Sequence, residues 1–264
     1  VLSTLFKVSS ILLLCLPVYA ANEIYITQVD TGNNLTLDIL QDGNNNEVRL
    51  SIAHDYNNID IDQVGDNNTV SWTSTWGTGL SWGGDLDGSN NNLTFDQYNT
   101  VGTDVNKIGL HISSNNNDIH LCQGKSFDSS TDTTCSASSA SEYGGHTVNL
   151  DIHSGNTDLR GSQETGAGNA DHYAQIYTSG GDYNDIFFSQ TGDGNKTLNF
   201  VVRTDGGEQS MIQSGSGAHT ATIDLTGTYK TDLSLTQNSA TNQTYTLTNT
   251  CLTVAGCSVS VTQN

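Results

Sequence analysis

Apolar residues in this chain alternate with polar ones in short runs: Ile24 and Ile26; Leu35, Leu37 and Ile39; Val48, Leu50 and Ile52; Ile59 and Ile61. A period of two puts each such set on one face of a strand, so the pattern predicts many short, half-buried strands. Clusters such as Asp42-Gly-Asn44 and Gly65-Asp66 close the runs and supply residues that tolerate turn geometry. Long runs of Leu, Ala, Lys and Glu are missing, which argues against helix.

The strands are marked at their ends by carboxamides. Asn22, Gln28 and Asn33 follow the spacing N-x5-Q-x4-N, as do Asn57, Gln63 and Asn68, and again Asn184, Gln190 and Asn195. The 264 residues hold 13 Gln and 28 Asn, and six of the Gln have Asn six positions earlier. Chance would give about 1.4, so the repeat is real. Asn91 with Gln97, Asn117 with Gln123 and Asn169 with Gln175 keep the pair; Gln41 with Asn46, Gln213, Gln237 with Asn242, and Gln263 are weaker copies.

Equivalent glutamines settle at a spacing of roughly 22 to 26 residues, enough for two strands of about seven residues and two turns. The expected fold is therefore all-β, a flattened β-solenoid over residues 21–264 in which each strand stacks about 4.8 Å from its equivalent. Stacking brings like residues over like, and a column of amides can hydrogen-bond along the stack, whereas a lone buried amide costs about 1 to 3 kcal/mol. All the Asn and Gln named above are expected in such a ladder. Loop insertions are expected near residues 74–92 and 125–145, and Asn156–Ala170 is poorly periodic. Asn169, Asp171, Tyr173 and Gln175 keep the spacing but would turn an aspartate inward. Beyond Gln190 the second strands run one residue out of phase, which a bulge or a turn longer by one residue would restore.

Residues 1–20 read as a secretory signal peptide: Lys7, the apolar run Ile11–Leu16, then Val18-Tyr-Ala20 with cleavage expected after Ala20. The apolar run is too short to span a bilayer, so no membrane span is expected in the mature chain. All 28 acidic residues and seven of the eight basic ones follow residue 20, leaving a net charge of −21, which speaks against nucleic acid as a partner. Four cysteines would then enter an oxidising compartment. Of the three connectivities, Cys122 with Cys135 and Cys251 with Cys257 is favoured, because each pair flanks a loop leaving the stack.

Candidate chemistry is sparse. The seven histidines show no H-E-x-x-H spacing and no serine lies in G-x-S-x-G, so surface or ladder roles are expected for them, with no catalytic residue, metal or cofactor. Asp85–Asn90 has the oxygens of a calcium loop but not its distal Glu, and reads as a turn. Trp76 and Trp82 read as loop residues. A parallel β-helix polysaccharide lyase, or a monomeric β-solenoid adhesin or ice-binding module suggested by Thr244, Thr246 and Thr248, stand as alternatives to a structural role.

The repeat resembles the curlin repeat of curli-type bacterial amyloid subunits: Ser or Asn, five residues, Gln, a four-residue turn, Asn, then a second strand. The likeness covers nearly all of residues 22–264. The resemblance implies a secreted functional amyloid subunit at the cell surface that self-associates into fibres for adhesion and biofilm matrix. It also implies other curlin-like subunits and an outer-membrane export pore as partners.

Overall fold

The computed structural model describes residues 11–14, 22–28, 34–53, 55–70, 85–97, 105–113, 116–124, 145–153, 156–165, 172–205, 207–215, 217–226, 229–238 and 242–264. Among them, strands alternate along the chain between two parallel sheets. The first sheet holds β1 (Ile11–Leu14), β3 (Thr36–Gln41), β5 (Asn58–Gln63), β7 (Asn92–Gln97), β9 (Asn117–Gln123), β11 (Thr157–Thr165), β13 (Asp185–Gly192), β15 (Glu208–Ser214), β17 (Asp232–Asn238) and β19 (Ser258–Gln263). The second holds β2 (Asn22–Gln28), β4 (Asn46–Ala53), β6 (Asp85–Asp87), β8 (Ile108–Ser113), β10 (Val148–Ile152), β12 (His172–Asp182), β14 (Lys196–Asp205), β16 (His219–Leu225) and β18 (Gln243–Asn249). Each strand pairs with the next of its own sheet, one rung away, which makes the molecule a flattened β-solenoid.

Because every rung repeats the same alternation, the inward residues form columns. Leu37, Ile59, Leu93, Ile119, Leu159 and Ile186 run along the first sheet in register, and Val48, Val70, Ile108, Val148, Ala174 and Leu198 run along the second. All are buried and belong to one continuous core.

Two features depart from the expected layout. The segment 74–92 is not wholly an excursion: β6 lies inside it, and Leu86 is buried between Ile52 and Ile112. Val70 already bridges Val48 and Ile108, so a single rung position is filled by two pieces of chain on either side of residues 71–84. Asp85–Asp87 is thus a strand rather than a turn. Trp76, Trp82, Cys135, His54 and nearly all of the 125–145 insertion lie outside the described residues.

Within the poorly periodic segment, Thr157–Thr165 form a strand, β11, with Gly161 at an inward position. A Cβ there would meet the ring of Phe188 at 2.4 Å. The large Phe188 of the next rung fills the space that Gly161 leaves, so the core stays filled although the alternation is broken.

Ile11–Leu14, within the expected signal peptide, pairs in parallel with β3. No helix among the described residues is long and apolar enough to cross a membrane.

Candidate functional site

The arrangement with most functional content is a glutamine column in the first sheet. Gln41, Gln63, Gln97, Gln123, Gln163, Gln190, Gln213, Gln237 and Gln263 stand in register on successive rungs. Nε2 of Gln63 donates to Oε1 of Gln41 at 2.6 Å, Gln97 to Gln63 at 2.8 Å, and Gln123 to Gln97 at 3.0 Å. Gln163 donates to Gln123, Gln190 to Gln163 and Gln213 to Gln190, each at 2.8 Å. The sequence separations run from 22 to 40 residues, so insertions of different length do not disturb the column.

These six donors also reach across toward the facing sheet. Gln63 reaches the carbonyl of Thr69, Gln97 that of Lys107, Gln123 that of Thr147, Gln163 that of Tyr173, Gln190 that of Thr197, and Gln213 that of Thr220. One side chain therefore ties a rung to its neighbour and clamps the arc joining the two sheets. A primary amide, with two donor hydrogens and an acceptor oxygen, has the inventory for both tasks.

The asparagines form shorter columns at the opposite end of the strands. In the first sheet Nδ2 of Asn57 donates to Asn91 Oδ1 at 2.8 Å and Asn91 to Asn117 at 3.0 Å, and Asn117 reaches Thr157 Oγ1 at 3.4 Å. The backbone N–H of Thr157 then donates to Asn184 Oδ1 at 2.9 Å. In the second sheet Asn68 donates to Asn46 at 2.9 Å and Asn106 to Asn68 at 3.0 Å, while Asn22 donates to the carbonyl of Gly43.

Several amides expected in the ladder lie elsewhere. Gln28 is on β2 in the second sheet, half-buried and level with Ile52, so it never joins the glutamine column. Gln175 points to the outer face of β12, where it accepts a hydrogen bond from Tyr173; the inward residues are His172, Ala174, Ile176 and Thr178, and no aspartate takes their place. Asn195 and Asn242 are exposed in turns, and Lys196 and Gln243 occupy the positions expected for them. The reason is a turn longer by one residue: five residues separate Gln190 from Lys196, against four between Gln63 and Asn68. Asn33 and Asn169 lie outside the described residues. Gln163 was missed because Thr157, not Asn, stands six residues before it.

In the later rungs the second-sheet asparagine column gives way to His146, His172, Lys196 and His219, all buried. The rings of His146 and His172 lie 4.8 Å apart. Burial, with a smaller repulsion from His172, holds the His146 pKa well below the usual imidazole range. Burial and the neighbouring Lys196 push His172 down to about 3. Lys196 is lowered by burial, and its Nζ donates to the carbonyl of Gly194 at 3.2 Å. His146 and His172 are thus neutral members of the stack at neutral pH.

The outer face of the first sheet is acidic. Asp118, Asp158, Asp185, Glu208 and Asp232 follow one another in register and are met by His120, Arg160 and Lys230. Arg160, Phe187 and Ser210 line an open groove of about 420 Å³ beside them. On another part of that face burial, then Asp60 and Asp38, push the Asp62 carboxyl up to about 6. Cys251 and Cys257 form the expected disulfide. Cys122 is also disulfide-bonded, to a residue outside the described ones.

β19 is the last strand described in the first sheet. Val259 and Val261 of β19 are 38% and 39% exposed, although their register partners Leu233 and Leu235 are 2% and 0% exposed. Thr244, Thr246 and Thr248 lie exposed on the outer face of β18. Comparison of the chain with family models, curated proteins and solved structures finds no match in any of the three.

Proposed function

We propose that this chain is a secreted, curlin-like functional amyloid subunit that forms or nucleates extracellular fibres for adhesion and biofilm matrix. The observation that carries the reading is the glutamine column, hydrogen-bonded from Gln41 to Gln213 and in register as far as β19, the last strand described in the first sheet, whose apolar residues are half-exposed. At an edge such a strand presents unpaired N–H and C=O groups and an apolar surface matching the rung beneath it, the template for adding another copy. Cleavage after Ala20 would remove β1 and leave β3 as a second edge of the first sheet. Other curlin-like subunits and an outer-membrane export pore are the partners this role requires, and the role needs no catalysis.

The charge of −21 opposes assembly, and screening lowers that cost, so fibres should form slowly in low salt and faster in high salt. The test is incubation of the purified chain from Ala21 onward, followed by electron microscopy. Unbranched fibres whose growth accelerates with salt are expected. A monomer with a strand-rich spectrum that persists in high salt would overturn the reading in favour of a monomeric adhesin.

A further inference from the structure

The outer face of the second sheet gathers three metal-ligating side chains that neither the ladder nor the edge uses. His111 on β8 and Asp151 on β10 are register partners on adjacent rungs. His153 follows two residues after Asp151, and its backbone N–H donates to the carbonyl of Ile112, so it prolongs the strand and shares the outer face. One ligand atom from each of the three lies within 4.8 Å of the others. The ring centroids of His111 and His153 are 5.3 Å apart and tilted by 60°.

The geometry between Asp151 and His153 is what points to an ion. Asp151 Oδ1 lies 2.8 Å from His153 Nε2, and this oxygen, buried from solvent, makes no hydrogen bond. Nδ1 of the same ring lies 2.7 Å from Ser179 Oγ. The hydroxyl accepts when Nδ1 carries the proton, and in that tautomer Nε2 has the lone pair a metal needs.

We propose that His111, Asp151 and His153 form a Zn²⁺ site that ties the rungs of β8 and β10 together across the insertion between them. Two imidazoles and one carboxylate suit zinc better than calcium or magnesium, which take oxygen ligands. Three protein ligands leave a fourth position for water. Ser179 is a positioning residue for His153. The site rests on the solenoid geometry alone and holds whether or not the chain forms fibres.

Isothermal titration of the metal-free chain with ZnCl₂, and with CoCl₂ followed by visible absorption, tests the site. One tight equivalent is expected, unaffected by millimolar calcium, with cobalt bands of a four- or five-coordinate ion. His111→Gln and His153→Gln should each weaken binding by at least about tenfold, Ser179→Ala by about tenfold, and His120→Gln on the other sheet should change nothing. Binding equal in the parent and in the His111→Gln/His153→Gln double variant would overturn the proposal. Should the variants fail to fold, zinc X-ray absorption on the parent decides: two imidazoles at about 2.0 Å support it, and an all-oxygen shell contradicts it.

Discussion

Gln163 donates from Nε2 to Oε1 of Gln123 at 2.8 Å although 40 residues separate them, and Gln190 donates in turn to Gln163 at the same distance. A replacement at Gln163 therefore acts on the rungs to either side. Gln163→Glu places an acceptor-only, ionisable group among buried amides and removes the donor to Gln123 and to the Tyr173 carbonyl. A loss of about 3 kcal/mol or more is expected, against about 1 to 3 kcal/mol for Gln163→Met, which leaves partners unpaired without adding charge. Denaturant unfolding of the two variants beside the parent checks the order; equal stability of all three would show that the column contributes little.

Gly161 and Phe188 make a second coupled pair. Gly161→Ala puts a methyl into the Phe188 ring and is expected to cost about 1 to 3 kcal/mol, as overpacking does. Phe188→Leu in the same chain should recover part of that loss. A double-mutant cycle measures the coupling, and strictly additive effects would contradict the packing described here.

The buried histidine column makes the later rungs sensitive to acid. The folded-state pKa values of His146 and His172 lie below that of an unfolded histidine, near 6.5. Their contribution is complete above about pH 6.5 and is lost as pH falls toward the folded value, about 3 for His172. Each proton taken up only on unfolding costs about 1.4 kcal/mol of stability per pH unit. His172 is faced by His146, Lys196 and His219 along the column. The sign is opposite for Asp62, whose folded pKa of about 6 lies above its unfolded value; its ionisation opposes folding, so acid relieves the earlier rungs. Segment-resolved hydrogen exchange at pH 7 and pH 4.5 should show β10 to β16 losing protection in acid while β3 to β7 do not. The double replacement His146→Asn/His172→Asn, which restores the residue type of the earlier column, should blunt that loss.

Strand positions and the stacking of amides were legible from Asn57, Gln63, Asn91 and Gln97, because their spacing coincides with a strand and a turn. The sheet to which a strand belongs was not: Asn22 and Gln28 carry the same spacing as Asn57 and Gln63, yet β2 lies in the second sheet. Membership depends on which rung a strand stacks upon, a non-local fact. Gln163 was hidden by Thr157 and Gly161, each compensated by a neighbouring rung, Asn184 in one case and Phe188 in the other. The place of Leu86 is not legible either, because it shares a rung with Val70 although 16 residues separate them in sequence. The metal-ligand set was equally non-local, since His111 meets Asp151 only through strand register across 40 residues.

The central claim is that copies add rung upon rung at the open edge. Hydrogen exchange of β18 and β19 in the monomer and in assembled material tests it most directly. The claim predicts that amides of Ser258–Gln263 and Gln243–Asn249 gain strong protection on assembly while those of β5 to β15 keep the protection they already have. Unchanged exchange in β18 and β19, or a wholesale change across the interior strands, would contradict it.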